Sequence, residues 1–427
     1  MEDDMTDRRA HEGDRPRVLV TGGSVGGPAQ AWALQRAGFA VTLLERAPRP
    51  REAGQNIDIR DAGHAVLRAM GIRDEVKAAS TGEVGIRYLD HRGEPYAELP
   101  ALEGEDGPTA ELEILRGKLS EILMGLTEGT VEHRFGTHVV ALEDRPDDGV
   151  TVAFADGTRE HFDLVVVAEG RNSTTRDLVF GDEVGTISRG LYIAYGTIAR
   201  TAADDDWWRW MTARDSRMVG LRPDNTGTIR ANLGFLAPDL GLDRLGHAAQ
   251  MTVLRNRFAG VGWETDRILD GFEAAPEEFY MERTDKVVMP TYSRGRVIVV
   301  GDAAWAGGPT GMGTTLALVG AYVLAGELDA ARTGDAIDHR RAFTAYERII
   351  RPYAESVQTP SSGNSRMVMP RTTRGLRVLR AVHTLLARPA VRSRVEHRLL
   401  SRAGKDFVLP DYPIYADAPV TAGRGVG

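Results

Sequence analysis

The apolar run Val18-Leu19-Val20 is short and rich in β-branched residues, the pattern of a strand buried on both faces. It runs into Thr21-Gly22-Gly23-Ser24-Val25-Gly26-Gly27-Pro28, and the helix-forming run Ala29 to Ala37 follows, stopped by Gly38. A second apolar run, Ala40 to Leu44, ends in Glu45-Arg46. The pattern predicts strand, glycine-rich turn, helix and strand, with an acid 18 residues after the last turn glycine. Dinucleotide binding requires that order. Gly22 allows the tight turn, small residues let the backbone approach a pyrophosphate, and Gly27 lets helix close on strand. The helix start offers free N–H groups and partial positive charge, and Pro28 fits its first turn. Glu45 is placed for the two hydroxyls of an adenosine ribose. Ser24 stands where the middle glycine belongs, so a tight turn in some other α/β protein stays open on this stretch alone.

Further along, Gln55 to Ile59 alternates like a half-buried strand, and Asp61 to Met70 predicts an amphipathic helix closed by Gly71. Ile86 to Tyr96 predicts a hairpin turning at Arg92-Gly93, and Glu111 to Leu126 a long helix. Val131 to Arg134, Val139 to Glu143 and Val150 to Phe154 predict a small meander, with Asp156-Gly157 turning into Arg159 to Phe162. Asp163 to Gly170 holds the fully apolar run Leu164 to Ala168, ends in an acid and a glycine, and suits the middle of a parallel sheet. From about Ser188 the pattern becomes β-rich, with Leu191 to Ala199, Met218 to Arg222 and Thr228 to Phe235 predicting an antiparallel sheet. Asp243 to Phe258 and Pro276 to Tyr280 read as helical. Gly295 to Ala304 is another buried strand ending in an acid, Asp302. A glycine-rich loop to Gly313 follows, then an apolar helix from Thr314 to about Leu328. Asp338 to Gln358 and the Arg-rich 371–402 read as helices, and Leu409 to Pro413 as extended.

The pattern therefore predicts a mixed α/β fold: a Rossmann-like nucleotide-binding domain, an inserted antiparallel sheet that forms a substrate domain, and C-terminal helices. The expected division is a disordered arm at 1–16, then 17–187 as the first part of the nucleotide domain, with inserted strands near 84–100. The sheet domain takes 188–285, the second part of the nucleotide domain 286–330, and the helical region 331–427. A chain of 427 residues can bury cores of that size, and 42% hydrophobic with 27% charged residues describes an ordinary globule. A net charge of −8 argues against nucleic-acid or anionic-membrane partners, and no apolar run reaches the length that spans a bilayer. There is no cysteine, which excludes disulfides, thiolate metal sites and a cysteine-linked cofactor. Together with an opening that has no apolar core, this predicts a cytoplasmic protein, a monomer or homodimer, with no metal.

The second nucleotide-like strand indicates which dinucleotide is bound. A nicotinamide enzyme uses one glycine turn and one ribose acid. Here Asp302 arrives on a second strand, placed for a chain of sugar-like hydroxyls, and the helix after Gly313 points its positive end at whatever lies beyond. A reduced isoalloxazine carries negative charge along its N1–C2 edge, which a helix dipole and backbone N–H groups stabilise.

On these residues the chain resembles the FAD-dependent monooxygenases typified by para-hydroxybenzoate hydroxylase, the tetracycline-inactivating monooxygenases and the polyketide aromatic hydroxylases. The resemblance rests on the Gly22–Gly27 turn with Glu45-Arg46, on Glu113 to Arg116, on Asp163 to Gly170, and on Gly301-Asp302 with Pro309 to Gly313; Tyr346 to Arg348 and Arg351 to Tyr353 support it. It implies non-covalent FAD, NADPH or NADH as reductant, and a flavin C4a-hydroperoxide that delivers one oxygen atom to an aromatic or polyketide-like small molecule of secondary metabolism. It further implies that Gly22, Ser24, Val25, Gly26 and Gly27 hold the pyrophosphate, and that Glu45 and Arg46 serve the adenosine ribose. Arg116 would reach the pyrophosphate or ribityl chain, the Val140 backbone the adenine, and Asp302 the ribityl hydroxyls. Pro309, Gly311, Met312 and Gly313 would line the flavin ring.

Three departures from that family stand out: Ser24, Glu169 in place of an aspartate, and a loop from Trp305 to Gly313 one residue short. The chemistry belongs to the cofactor, so no side-chain triad is expected, and His64, His133 and His138 read as surface or packing residues. The substrate should lie between inserted sheet and flavin, with Gln55, Tyr195 and Asn232 as candidate contacts and Trp207 to Trp210 as domain packing. A flavin halogenase is disfavoured, because Trp208-Arg209-Trp210-Met211-Thr212 lacks the Ile-Pro of that class. An FAD oxidase or dehydrogenase without oxygen transfer, or a flavin binder with little turnover, are the rival readings.

Overall fold

The computed structural model describes residues 15–50, 54–102, 104–107, 109–145, 148–308, 310–334, 336–358, 365–392 and 407–416. Most of the arm expected at 1–16, Pro309, and the 393–402 part of the expected C-terminal helix lie outside the described residues. Among the described residues, no helix is long and apolar enough to cross a membrane.

The first sheet has six strands, in the order Ser293–Arg294, Val297–Val299, Leu164–Val167, Arg17–Thr21, Ala40–Glu45, Glu132–Phe135. Every pairing in it is parallel except that of the outermost Ser293–Arg294. The three runs read as buried strands lie side by side at its centre, with Val18 to Val20, Val165 to Val167, Ile298 and Val299 all at 0% exposure. Because these strands are parallel, their C-terminal ends share one edge of the sheet, and there the chain turns into the helices Gly26–Arg36 and Gly313–Ala330.

The second sheet has seven strands: Tyr280–Val288, Gly185–Ala199, Thr228–Leu236, Arg217–Pro223, Trp208–Ala213, Gly85–Leu89 and Pro95–Pro100. The early hairpin therefore extends the inserted sheet, through a parallel pairing of Gly85–Leu89 with Trp208–Ala213. One face is covered by the helices His247–Phe258 and Thr265–Ala274, whose Leu254, Phe258, Ile268 and Phe272 share a core with Tyr192, Leu233 and Phe235. Gly196 must lack a side chain here, since its Cβ would stand 2.5 Å from the Phe272 ring.

Four sequence expectations change. Glu111 to Leu126 is not one helix: Leu112–Leu115 is a fully buried strand paired with Asn56–Ile59, and the helix begins at Arg116. A tertiary partner overrides local helix preference there. Glu132–Phe135 leaves the meander for the parallel sheet, where Thr42 pairs with Glu132, so the meander keeps only Val139–Arg145, Gly149–Phe154 and Arg159–Phe162. Residues 276–279 form a turn into the strand Tyr280–Val288, and the helix in that region is Thr265–Ala274 instead. Gly246 splits the expected Asp243 to Phe258 helix into a 3-10 turn, Leu242–Arg244, and a helix from His247.

Candidate active site

The glycine turn is shaped by what lies against it. Gly22 adopts φ +101°, and a Cβ there would stand 2.4 Å from the Ala168 carbonyl oxygen. A Cβ on Gly27 would stand 1.7 Å from the Gly22 oxygen. The Gly23 N–H donates to Glu45 Oε2 at 2.6 Å and the Ala47 N–H to Oε1 at 2.8 Å, which pins the Glu45 carboxylate at the strand end. Each oxygen keeps acceptor capacity for a hydroxyl. Ser24 is exposed at the turn, whereas Val25 is buried and presents only backbone to the cleft. Arg46 is exposed.

Two helices begin at this edge without a capping side chain and without an acid in the first turn, Gly26–Arg36 and Gly313–Ala330. They are neighbours: a Cβ on Gly26 would lie 3.9 Å from the Ala317 Cβ. Asp302 sits beside the second start, its Oδ1 3.7 Å from where a Gly313 Cβ would be. The peptide after it is anchored by Arg176, whose Nη1 donates to the Ala303 and Arg171 carbonyls at 2.9 and 3.0 Å. Gly308 and Gly311 supply the left-handed turns of the intervening loop, at φ +85° and +72°. Met312 is buried, so only its backbone faces the loop side.

Arg116 starts the next wall. Its N–H bonds the Gln55 carbonyl at 3.1 Å, which places these two candidates side by side, and Ser120 ties the same helix to the Gly23 carbonyl. Among the described residues, the Arg116 guanidinium and the Asp302 carboxyl have no hydrogen-bond or ion-pair partner. Asp302 is exposed to solvent, yet the surrounding protein pushes its pKa above the ordinary carboxylate value, against the pull of Arg116 and Arg171. A group both reachable and desolvated lines an internal cleft. Val140 lies further off, an extra residue at a bulge between Val139 and Ala141, so its backbone lacks a strand partner. The chain entering it is held to the Glu45 strand end by the Gly136 N–H on the Ala47 carbonyl at 2.9 Å.

The other face of the seven-stranded sheet closes the cleft at its Tyr280 end, while toward Tyr88 it is covered by Met369 and by the helix Thr373–Leu386, whose His383 stacks on Tyr88 at 3.9 Å. Strand register lines Tyr280, Tyr195, Asn232, Gly220, Trp210 and Tyr88 in one row across six strands. Tyr195 and Asn232 are therefore direct cross-strand neighbours. This face meets the flavin-side loop: Thr284 packs within 3.5 Å of a Gly308 Cβ position, and Arg222 bonds Asp58, which lies 3.4 Å from that of Gly311. Among the described residues, Asn232 Oδ1 is buried without a partner, lying over Gly220, where a Cβ would be 2.6 Å from it. Tyr195 and Tyr280 stack at 5.0 Å, and Arg116 stands 5.9 Å from the Tyr280 ring. Trp210 belongs to this row and packs against the cluster of Leu191, Ile193, Met218 and Met369, and Trp208 covers Arg222 at 4.3 Å, so the tryptophan cluster packs the sheet as expected. Sequence reasoning missed Tyr280, Glu282 and Arg222; the alternation Tyr280-x-Glu282-x-Thr284 was the available signal. Glu169 accepts from Ser173 Oγ at 2.7 Å and from the Thr175 N–H at 3.1 Å, so its longer side chain serves the start of the helix Thr174–Phe180. Among the described residues, no cluster of His, Cys, Asp or Glu could hold a metal.

Two uncapped helix starts, paired hydroxyl acceptors at Glu45 and Asp302, and an unpaired arginine between them suit an anionic dinucleotide carrying two sugar-like chains. Residues 15–361 match the FAD binding domain family, and the chain belongs to it, as an FAD-dependent monooxygenase. It is 34% identical over 392 residues to the flavin-dependent monooxygenase eupH of Phoma sp, covering 86% of this chain and 90% of that one. A flavin-dependent monooxygenase of Legionella longbeachae is 34% identical over 345 residues, covering 80% and 87%. Among solved structures, the tetracycline destructase Tet(55) superposes with a TM-score of 0.76 at 29% identity, over 93% of this chain and 99% of its own.

Proposed function

We propose that this monooxygenase hydroxylates an aromatic or polyketide-like small molecule at the expense of NADPH or NADH. The observation that carries the reading is the cleft itself, with unpaired Arg116 and Asp302 on one wall and the row Tyr280–Tyr195–Asn232–Trp210 on the other. Bound FAD supplies the redox chemistry, taking two electrons from the nicotinamide and passing them to oxygen. The remaining work falls to this chain. Backbone N–H groups of residues 22–27 and the helix start after them hold the pyrophosphate. Glu45 with Arg46 holds the adenosine ribose, the Val140 backbone the adenine, and Asp302 the ribityl hydroxyls. The turn Gly311 to Gly313, with Pro309 and the Met312 backbone, and the helix start behind it stabilise negative charge on the ring. The aromatic row orients a flat substrate against the ring and excludes water. Residues 17–187 with 286–330, apart from the strands Gly85–Leu89 and Pro95–Pro100, form the FAD-binding part, and those two strands join 188–285 in the substrate part, in a cytoplasmic protein. Flavin-dependent relatives in fungi support a place in secondary metabolism, and the likeness to Tet(55) supports polycyclic substrates.

The test is the visible spectrum of purified protein, followed by NADPH and oxygen consumption against a panel of phenols and polycyclic aromatics. One labelled oxygen atom in the product supports the reading. A colourless protein that refuses added FAD overturns it, and stimulated hydrogen peroxide release without oxygen transfer overturns the hydroxylation.

A further inference from the structure

Glu282 lies in the strand Tyr280–Val288, opposite Ile193 and one pair along from the stacked Tyr195 and Tyr280 rings. Alternation puts its side chain on the face that meets the flavin-side loop, since Thr284, two residues on, packs against Gly308. It is half-buried, and among the described residues its carboxyl accepts no hydrogen bond and forms no ion pair. Burial pushes its pKa above the ordinary value; Arg171 and Arg116 oppose this, while Asp302 and Asp243 add to it. Arg171 is already engaged, 3.6 Å from Asp285 and 3.9 Å from Asp243. The Tyr195 and Tyr280 hydroxyls feel the Glu282 charge and likewise lack a partner among the described residues. A carboxyl kept for stability would have a donor or cation, because a desolvated one without either is costly. This one faces the space assigned above to substrate.

We propose that Glu282 is the base that accepts the proton of the substrate hydroxyl. The inference rests on the monooxygenase reading and names a catalytic residue for it. The O–H bond breaks, its proton passes to the Glu282 carboxylate, and the electron pair left on oxygen enriches the ortho and para carbons. One of these gains an oxygen atom from O2, the other atom leaves as water, and NAD(P)H supplies the two electrons. The attacked carbon loses its proton as the ring regains aromaticity, and Glu282 returns its own to the phenolate oxygen of the product. The tyrosine hydroxyls offer donors beside this acceptor, so a hydroxyl and a carbonyl on neighbouring substrate positions match the site.

The experiment uses the FAD-loaded full chain with 1-naphthol, 2-acetyl-1-naphthol and 2,4-dihydroxyacetophenone, each beside its O-methyl ether. Phenols stimulate NADPH consumption and gain oxygen, and the ethers do not. Glu282→Gln loses roughly 100-fold in kcat/KM near neutral pH, the scale of a general base. It also loses the acid limb of the pH profile, and recovers as pH nears the phenol's own pKa. Glu282→Asp restores part of the rate, and FAD affinity is unchanged in both variants. A Glu282→Gln enzyme with the wild-type rate and acid limb overturns the proposal, as do ethers that react like phenols. So does indifference to every phenol in a protein whose flavin NADPH still reduces. Failure to bind FAD at all is a different result, which takes down the monooxygenase reading beneath it.

Discussion

Glu83→Gln should remove a pH dependence of stability that comes from an ionic knot between the seven-stranded sheet and the strand pair Asn56–Ile59 and Leu112–Leu115. Arg222 lies at its centre, with Nε 2.6 Å from Glu83 Oε2 and 3.0 Å from Glu113 Oε1, and Nη2 3.0 Å from Asp58 Oδ1. Arg60 holds the other Asp58 oxygen at 3.0 Å, and Thr81 and Asn56 donate to Glu113. Three carboxyls meet two guanidiniums, so full ionisation would leave one buried negative charge uncompensated. Burial, reinforced by the charges of Glu113 and Asp58, outweighs Arg222 and pushes Glu83 from 4.5 up to about 8. Burial raises Glu113 too, and the retained proton belongs to the pair. A carboxyl raised in the folded state stabilises fully below its unfolded pKa, and that contribution is lost as pH rises through the folded value. The gap between 4.5 and about 8, at ~1.4 kcal/mol per tenfold in proton affinity, sets a ceiling of roughly 5 kcal/mol. Gln keeps an acceptor for Arg222 and leaves Asp58 and Glu113 balanced by Arg60 and Arg222. Thermal unfolding of the holoprotein between pH 5.5 and 9.5 is the assay. The wild-type midpoint should fall across this range, and that of Glu83→Gln should stay flatter and lie higher at the alkaline end. Parallel curves, or a variant destabilised equally at every pH, would show Glu83 ionised in an ordinary ion pair and refute the reasoning.

Asp302→Ala removes a side chain with no hydrogen-bond or ion-pair partner among the described residues, so the apo midpoint should hold while FAD affinity drops roughly 10- to 100-fold, the worth of charged hydrogen bonds; flavin titration measures it, and unchanged affinity would unseat the ribityl assignment. Gly27→Ala forces a Cβ to within 1.7 Å of the Gly22 oxygen, which should cost more than ~2 kcal/mol and abolish FAD binding; a stable yellow Gly27→Ala protein contradicts it. Asn232→Leu replaces a buried acceptor with no partner among the described residues, so stability should rise by ~1 kcal/mol while the KM for substrate climbs; a fall in the unfolding midpoint would mean the amide has a structural partner.

How much of this was legible in the sequence depends on the span of chain that each feature needs. The Gly22–Gly27 turn and its Glu45 could be read because strand, turn, helix and acid are contiguous, and each glycine answers to a neighbour in its own unit or to the adjacent strand end. Asp302 could be read because a second buried strand announces it. Leu112–Leu115 could not, because its strand character comes from Asn56–Ile59, some 55 residues earlier. The substrate wall was only half legible. Tyr195 and Asn232 were candidates, but a period of two leaves either face open until the hydrogen-bond register is known. Tyr280 was hidden behind a helical reading of Pro276 to Tyr280, and the strand that carries Glu282 was not read at all. The Arg222 knot draws on four separated segments, and nothing local marks Glu83 as a partner of Glu113. The cofactor half of the site is thus written in local motifs, whereas the substrate half exists only where two sheets meet. Relatives that keep the first can therefore change the second by altering single residues on one face of the inserted sheet, and Glu282 and Asn232 are where such changes would redirect the chemistry first.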